Sequence, residues 1–338
     1  MQARAPAGLI GGVDVKIGSK IEIIETLAGG PGFAEAVRAG LACAPKMIPA
    51  KYFYDAEGAR LFAAICDLPE YYLTRVELAI LKARAHAAAA LAGPGCHLIE
   101  FGSGASVKVG LLLDALKDPR SYVALDISRE FLLAGARAVA RAYPKLKVVA
   151  VHGDYAGPET LALPDLGAGR RLGFFPGSTI GNLTPDESVE FLKRAREMLG
   201  GGDMIVGVDT KKDKKILDAA YDDAQGVTAA FNLNLLRRAN ADLGTDFDLA
   251  AWRHVAFYNE ANGRIEMHLE SVRAQTVRVS GDSVSFRAGE TILTEISCKY
   301  AVPEFQDIAR AAGFSPLEAW TDDAARFSVH YLRGTGRS

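Results

Sequence analysis

Two carboxylates, Glu100 and Asp126, each lie at the end of a short apolar run, with a glycine-rich turn and a candidate helix between them. This layout is typical of a nucleotide-type cofactor site at the carboxyl ends of parallel strands. Gly102, Ser103 and Gly104 allow the backbone to turn tightly and to approach a ligand. We expect Asp126, about twenty residues after the turn, to accept hydrogen bonds from the two hydroxyls of a ribose. The segment therefore predicts an adenosine cofactor.

The residues around the turn indicate which adenosine cofactor binds. The dinucleotide pattern G-x-G-x-x-G needs a third glycine, but Val107 or Lys108 occupies that position, depending on how the first glycine is aligned. Glu100 would repel a pyrophosphate, whereas it would attract the sulfonium and ammonium groups of S-adenosylmethionine. A third apolar run leads to Asp154, which can pair with the adenine amino group, and Tyr155, which can cover the base. We therefore predict S-adenosylmethionine rather than NAD, bound by Glu100, Gly102, Ser103, Gly104, Lys108, Asp126, Asp154 and Tyr155.

The composition favours a globular protein that acts on a small molecule. The 338 residues suffice for one large domain or two moderate ones. A net charge of −2 argues against a broad nucleic-acid surface, and neither a membrane-length apolar run nor a secretion-signal core is present. The four cysteines and six histidines show no metal-ligand spacing. We predict a reduced, cytoplasmic, monomeric protein without a structural metal, nucleic-acid partner or membrane partner.

The pattern after residue 153 predicts a doubly wound, Rossmann-like α/β sheet joined to a smaller α+β unit. Short apolar runs predict further strands, and Thr184 is the expected N-cap of a helix over 185–199. Residues 213–243 have a helical pattern, whereas residues 255–300 alternate in short runs that turns divide into antiparallel hairpins. The strands and the helix that complete the sheet are predicted at residues 172–175, 204–209, 303–312, 317–320 and 327–332.

The change in hydrophobic periodicity after residue 212 also predicts the domain organisation. We place the cofactor-binding unit at residues 76–212 and 302–338, and the substrate-binding unit at residues 15–75 and 213–301. No internal repeat or low-complexity linker divides the chain. The substrate-binding unit is therefore expected to interrupt the cofactor-binding unit and to pack against it.

Four segments carry a resemblance to a known family. They are KYFYDAEGARLFAAICDLPEYYLTRVE from Lys51, EFGSGASVK from Glu100, FFPGSTIGNL from Phe174 and LTEISCKY from Leu293. Together they resemble the histidine-specific, S-adenosylmethionine-dependent methyltransferases, over nearly the whole chain from about residue 21. The resemblance implies a class I methyltransferase fold. It also implies three successive methylations of the α-amino nitrogen of L-histidine, which give hercynine in ergothioneine biosynthesis.

The resemblance implies how the amino-acid substrate is oriented. The amide of Asn182, assisted by the hydroxyl of Tyr221, would hold the substrate carboxylate, and Gly177 and Thr179 would line the path to the amine. This location suits an open α/β sheet, where ligands meet at the carboxyl ends of the strands. Without the resemblance, Asn182 is more simply interpreted as a turn residue that caps the following helix.

Glu295 and Ser297 are implied to bind the imidazole. They lie two residues apart on a predicted strand, so their side chains face the same side. A neutral imidazole offers one N–H donor and one acceptor nitrogen, and a carboxylate and a hydroxyl can serve both. The alternative is that Thr294, Glu295 and Ser297 belong to a solvated edge strand, where such residues are frequent.

An aromatic wall is implied around the reacting amine. Tyr54, Phe62 and Tyr71 would form it, and Met267 would pack beside the imidazole. Aromatic faces attract the quaternary ammonium of a trimethylated product by about 0.5–2 kcal/mol. Tyr54 and Gly177 would lie nearest the reacting nitrogen, with Tyr54 orienting its lone pair, because a phenol with an ordinary pKa near 10 stays neutral. Apart from the resemblance, these aromatic residues could simply pack between the two units.

Two alternative functions remain open. The same scaffold could methylate another amino acid such as tryptophan, although Glu295 and Ser297 favour imidazole because an apolar ring needs no buried carboxylate. A different class of protein, a non-catalytic nucleotide-binding regulator or an NAD-dependent oxidoreductase, would use a similar strand-and-turn layout.

Overall fold

The computed structural model describes residues 21–26, 32–104, 108–157, 161, 163–279 and 281–335. The predicted helix start at residues 105–107 and the first twenty residues lie outside these ranges. The strands are β1 (Ile21–Glu25), β2 (Lys46–Met47), β3 (His97–Phe101), β4 (Ser121–Asp126), β5 (Lys147–His152), β6 (Arg171–Phe175), β7 (Asp203–Asp209), β8 (Trp252–Asn259), β9 (Arg264–Ser271), β10 (Gln275–Val279), β11 (Asp282–Phe286), β12 (Thr291–Cys298), β13 (Phe314–Thr321) and β14 (Phe327–Gly334). The α-helices are α1 (Phe33–Ala42), α2 (Ala56–Cys66), α3 (Leu73–Ala92), α4 (Lys108–Ala115), α5 (Arg129–Ala142), α6 (Pro185–Met198), α7 (Lys214–Tyr221), α8 (Val227–Leu243) and α9 (Val302–Ala311).

The larger sheet has eight strands in the order β1-β5-β4-β3-β6-β7-β14-β13. Strands β1, β5, β4, β3, β6 and β7 pair in parallel. Strand β14 pairs antiparallel with both β7 and β13. Alternate residues of a strand point to opposite faces, and here they enter two cores. Leu98 packs in the core that contains Leu112 of α4, whereas Ile99 packs in the core that contains Phe191 of α6 and Phe305 of α9. The doubly wound α/β fold is therefore confirmed.

Strand β1 differs from the predicted domain organisation. It pairs in parallel with β5 and forms one edge of the larger sheet. The assignment of residues 15–75 to the substrate-binding unit is thus wrong for this strand. A five-residue run gives a weak signal by itself, and its position depends on pairing with residues more than a hundred positions away, such as Ile23 with Ala150.

The smaller sheet has the order β2-β12-β9-β8, and β10 and β11 form a separate two-stranded hairpin. The turn between β8 and β9 contains Gly263, and that between β10 and β11 contains Gly281, so the predicted hairpins are confirmed. Strand β12 lies between β2 and β9. Among the described residues, strand β2 pairs only with Ile292 and Leu293, so at Thr294, Glu295 and Ser297 strand β12 has a strand neighbour on one side alone. The solvated interpretation is nevertheless wrong for Thr294 and Ser297, which are almost fully buried, whereas Glu295 is partly exposed.

The predicted helical region 213–243 forms two helices, α7 and α8, which both contact the smaller sheet. The chain breaks between them at Gly226, whose φ of 70° is in the left-handed region that favours glycine. This break turns α8 so that it packs against α2. The aromatic residues of α2 and α8 therefore come together beside the smaller sheet.

Within the described ranges, no helix is long and apolar enough to span a membrane. The same ranges contain no group of three or more histidine, cysteine, aspartate or glutamate residues that could hold a metal ion. All four cysteines have free thiols. Burial raises the pKa of the Cys298 thiol above its ordinary value.

Candidate active site

The glycine-rich turn and Asp126 hold each other in place. Asp126, the last residue of β4, accepts hydrogen bonds from the backbone N–H of Gly104 at 2.9 Å and of Ser128 at 2.8 Å. Gly102 and Gly104 have φ values of 71° and 41°, which favour glycine. Burial raises the pKa of the Asp126 carboxyl, although the backbone hydrogen bonds act in the opposite direction. The turn is thus fixed beside the carboxylate that we expect to bind a ribose.

Tyr155 and Asp154 lie next to this turn. A Cβ atom at Gly102 would be only 2.6 Å from the Tyr155 hydroxyl, so the close approach also requires glycine. The ring of Tyr155 packs edge-on against Phe101, with 6.1 Å between centroids. Asp154 accepts a hydrogen bond from Lys51 at 2.8 Å. Sequence reasoning missed Lys51, although it begins the first segment of the family resemblance.

Glu100 lies further inside the protein than predicted. It is the fourth residue of β3, is fully buried and accepts a hydrogen bond from the Tyr122 hydroxyl of β4. The prediction that Glu100 ends its strand is wrong because Phe101 continues the pairing with Leu125. Ser103, the next predicted cofactor residue, is also almost fully buried. The roles of Glu100 and Ser103 toward a cofactor stay predictions.

A buried carboxylate from α3 joins two of the predicted site residues. Glu77 is 1% exposed and accepts hydrogen bonds from Lys108 at 2.6 Å and from the backbone N–H of Gly177 at 2.8 Å. Gly207 of β7 makes room for it, since a Cβ atom there would be 2.0 Å from Glu77 Oε1. Sequence reasoning missed Glu77. The signal that could have found it is an acidic residue on an otherwise apolar helix face. Because Gly177 uses its N–H in this way, its carbonyl oxygen is the atom left for a ligand.

Tyr54, Phe62 and Tyr71 form a continuous aromatic wall that reaches Tyr221. Successive ring centroids are 5.6, 6.3 and 6.2 Å apart, and the rings meet edge to face. Phe231 of α8 packs against Tyr54 and Phe62 at about 6 Å. It was missed because one aromatic residue in a helical pattern is typical of core. Burial raises the pKa of the Tyr54 and Tyr71 phenols well above its ordinary value, so both stay neutral.

Glu295 has a carboxylate without a hydrogen-bonding partner in the described part of the chain. It is paired in register with Met267 of β9, so these two side chains are neighbours on one face. Burial raises the pKa of Glu295 to about 7, and the positive charge of Lys299 acts in the opposite direction. Glu295 is partly exposed, and a carboxylate that is largely removed from water without a partner is unfavourable. It is therefore a candidate for binding a polar ligand.

The hydroxyl oxygens of Ser297 and Tyr221 both accept hydrogen bonds from the buried ammonium group of Lys299. The Ser297 hydroxyl oxygen accepts hydrogen bonds from the Tyr221 hydroxyl at 3.0 Å and from Lys299 at 2.9 Å. Lys299 also donates to Tyr221 at 2.9 Å and pairs with Asp209 at 2.7 Å. The structure thus brings Tyr221 next to Ser297, and its role toward a carboxylate stays a prediction. Sequence reasoning missed Lys299, although it belongs to the LTEISCKY segment, and Asp209.

Asn182 and Thr179 lie on a short 3-10 turn, Thr179–Asn182, that packs against β12. A Cβ atom on Gly181 would be 3.3 Å from the Ser297 hydroxyl oxygen, so the turn lies directly beside Ser297. Thr184 caps α6 through a capping box, as predicted. The interpretation of Asn182 as the cap is therefore wrong. Its side chain makes no hydrogen bond to any residue that the structure describes, so its amide is available to a ligand.

Comparisons with known proteins show the family to which the chain is related. A family model described as "Histidine-specific methyltransferase, SAM-dependent" matches residues 33–334. The histidine N-alpha-methyltransferase of Mycolicibacterium smegmatis is 45% identical over 300 residues, 87% of this chain and 92% of that protein. That of Mycobacterium tuberculosis is 44% identical over 299 residues, with the same two coverages. The 4-dimethylallyltryptophan N-methyltransferase of Aspergillus fumigatus is 28% identical over 312 residues, 87% of this chain and 91% of that protein.

Proposed function

Because the chain belongs to the histidine-specific, S-adenosylmethionine-dependent methyltransferase family, we propose that it methylates the α-amino nitrogen of L-histidine three times. The product would be hercynine, for ergothioneine biosynthesis. The observation that supports this proposal most strongly is the half-buried carboxylate of Glu295, unpaired among the described residues, beside the hydroxyl of Ser297 on the same strand face. An imidazole presents the complementary pair of a donor and an acceptor.

The residues at the carboxyl edge of the sheet fit S-adenosylmethionine. Each oxygen of Asp126 accepts one backbone N–H and keeps a further lone pair for a ribose hydroxyl. The bare backbone of Gly102 allows a close approach to the ligand. When bound, the cofactor supplies a methyl group on an electrophilic sulfonium. The residues that would hold it are Glu100, Gly102, Ser103, Gly104, Lys108, Asp126, Asp154 and Tyr155.

The chain's own contribution to the reaction is alignment and desolvation. In this proposal, Asn182 binds the substrate carboxylate through its amide, while the Tyr221 hydroxyl keeps its hydrogen bond to Ser297. The carbonyl of Gly177 and the hydroxyl of Thr179 face the amine. Tyr54 orients the nitrogen lone pair as a neutral phenol, because burial keeps its pKa far above the range in which it could act as a base. Alignment of the reacting atoms supplies most of the acceleration for such a transfer.

The aromatic wall suits the growing charge on the substrate. Each methylation removes an N–H donor, and the third leaves a quaternary ammonium that cannot donate hydrogen bonds. The faces of Tyr54, Phe62 and Tyr71 attract such a cation by about 0.5–2 kcal/mol. The site can therefore keep the partly methylated amine bound as its hydrogen-bonding capacity falls.

The direct test is mass spectrometry of the purified protein incubated with S-adenosylmethionine and all twenty amino acids. We expect histidine to gain three methyl groups and the other amino acids to remain unmodified. Histamine, which lacks the carboxylate, is the matched control substrate and should react slowly. Preferential methylation of another amino acid, or of histamine as fast as histidine, would contradict the proposal.

Methylation of tryptophan is the second candidate function. The relative from Aspergillus fumigatus, named for a tryptophan derivative, is the observation that favours it. Ser297 argues against it, since an indole has no acceptor nitrogen and would leave the Ser297 hydroxyl without a partner. The amino-acid mixture described above separates these two functions in a single experiment.

We also propose that the enzyme is monomeric and cytoplasmic, and that it acts on free histidine rather than on a nucleic acid or a membrane. The four free thiols support a reducing compartment. Sedimentation of the purified protein at several concentrations tests the oligomeric state, and a concentration-dependent mass near twice 36.0 kDa would contradict a monomer.

A further inference from the structure

Lys299 lies directly behind the hydroxyl groups of Ser297 and Tyr221, and its side chain is completely buried. Its ammonium has three N–H donors. The structure gives these donors three acceptors, namely Asp209 at 2.7 Å, Tyr221 at 2.9 Å and Ser297 at 2.9 Å. Burial opposes its charge, but Asp209 and the hydrogen bonds raise the pKa of Lys299 above its ordinary value. The ammonium is therefore charged.

These hydrogen bonds determine whether the Ser297 hydroxyl can donate to a ligand or accept from it. Its hydroxyl oxygen accepts from both Lys299 and Tyr221, which uses both of its lone pairs. The Ser297 hydroxyl donates to none of the described residues. It therefore offers a ligand a donor and no acceptor. Glu295, two residues earlier on the same face, offers the opposite, because an ionised carboxylate is only an acceptor.

We propose that Lys299 is a positioning residue that makes this site select the neutral form of the histidine side chain. A neutral imidazole has one N–H, which Glu295 accepts, and one bare nitrogen, to which Ser297 donates. An imidazolium has a second N–H instead. That group would meet an oxygen without a free lone pair, with a positive charge 2.9 Å behind the oxygen. The inference rests on the proposed function, because it takes histidine as the substrate.

The neighbouring titratable groups leave this selection intact. Glu295 itself has a pKa raised to about 7 by burial. It acts alike on two rings that both bind in the neutral form, so its titration affects the binding of such rings equally. The phenols beside it are neutral because burial raises the pKa of each. From other elements, Tyr54 and Tyr71 lie near Glu295, and Tyr221 and Asp209 contact Lys299. Tyr72 and Lys212 contact Asp209 behind them. Burial lowers the pKa of Lys212 to about 8, so Lys212 remains charged over most of the range from pH 5 to 8.

The test compares histidine with β-(1,2,4-triazol-3-yl)alanine, whose ring has an N–H and bare nitrogens but stays neutral throughout this pH range. Dissociation constants of both are measured by calorimetry between pH 5 and 8, with the protein saturated by S-adenosylhomocysteine. In the unsubstituted protein, the ratio of the histidine constant to the triazole constant should rise about tenfold per pH unit below the imidazole pKa of about 6.5. Titration of Glu295 cancels in this ratio when both ligands bind as neutral rings. An imidazolium would instead be favoured by the ionised carboxylate, and the ratio would then not rise at low pH.

Lys299→Met should make the ratio nearly independent of pH, because Ser297 regains an acceptor lone pair and the positive charge is gone. Lys212→Met is the matched control, since Lys212 also pairs with Asp209 but does not contact Ser297. In this control, the ratio of the histidine dissociation constant to the triazole dissociation constant should still rise at low pH. Equal profiles in Lys299→Met and the unsubstituted protein, or a flattened profile in the control, would overturn the role of Lys299.

A spectroscopic measurement keeps the inference testable if Lys299→Met does not fold. Histidine labelled with ¹⁵N in its ring, bound to the unsubstituted protein at pH 6, should show one protonated and one bare ring nitrogen. Two protonated nitrogens would overturn the inference while leaving the proposed function intact. Failure to bind or methylate histidine at all would instead overturn the proposed function, and the inference with it.

Discussion

The carboxylates at the cofactor end and at the imidazole end of the site differ in their hydrogen bonding. At the cofactor end, Asp126 accepts two backbone N–H groups and is fixed against the glycine-rich turn. At the imidazole end, Glu295 has no hydrogen bond to any described residue, and burial raises its pKa to about 7. The first carboxylate is satisfied by the fold. The second is stabilised fully only by a ligand, so the substrate itself completes that end of the site.

Glu77 is the residue that should affect both ends at once. Glu77→Ala leaves the Lys108 ammonium and the Gly177 N–H without their buried partner. Removal of one member of such a buried pair destabilises a protein by about 3 kcal/mol or more. Urea unfolding measures this change, and calorimetry should show weaker binding of both S-adenosylhomocysteine and histidine. Glu57→Ala, which removes the exposed pair with Arg60, is the control and should leave the unfolding midpoint unchanged.

Asp126→Ala should affect the cofactor end alone. Loss of a charged hydrogen-bond acceptor for the ribose should weaken S-adenosylhomocysteine binding by about 1.5–3 kcal/mol, and the turn also loses its attachment at Gly104. Calorimetric titration measures the dissociation constant. Glu295→Gln, at the other end, is the matched control and should bind S-adenosylhomocysteine as the unsubstituted protein does. An unchanged constant in Asp126→Ala would remove Asp126 from the cofactor site.

Glu295→Gln should increase stability in a pH-dependent way. Since the pKa of Glu295 in the folded protein is about 7, above the ordinary 4.5, the folded state retains a proton that the unfolded state loses. The associated stability is fully present below pH 4.5 and is lost as the pH rises through 7. The neutral amide avoids this loss, so the variant should be more stable by roughly 1–3 kcal/mol at pH 8 and equal at pH 4. Equal unfolding free energies at both pH values would show that Glu295 is well solvated.

Phe231→Leu should have the smallest effect. It removes an aromatic face from the wall around Tyr54 and Phe62 while keeping most of the buried volume. We expect kcat/KM for the dimethylated intermediate to fall by about 0.5–1 kcal/mol in activation free energy, and by less for histidine itself. Steady-state assays with each substrate measure the difference. Equal losses for both would indicate a purely structural role.

The parts of the site that sequence reasoning predicted depend on residues near each other in the chain. Thr184 caps α6 through a residue three positions away, and Gly102 and Gly104 are required by their own backbone angles. The hairpin turns at Gly263 and Gly281 are equally local. Such features follow from the pattern because no distant partner is needed.

The parts that were missed depend on distant partners. Glu77 and Gly177 are 100 residues apart, Lys299 and Tyr221 are 78 apart, and β1 pairs with a strand more than a hundred residues later. Without that partner, Glu77 is an acid on a helix and Lys299 is a cation at the end of a strand. Glu77 gains its role from the packing of α3 beside β6 and β7, and Lys299 gains its role from the approach of β12 to β7.

The most direct test of the contrast between the two ends is kcat/KM for histidine and for tryptophan in the unsubstituted protein and in Glu295→Ala. We predict that histidine loses about 1.5–3 kcal/mol. Tryptophan should lose less, because removal of the carboxylate lowers the cost of burying its largely apolar ring. Discrimination between the two amino acids should therefore narrow, with S-adenosylhomocysteine affinity unchanged. An unchanged ratio together with a collapse of cofactor binding would contradict the assignment, since Glu295 would then support the fold rather than recognise the imidazole.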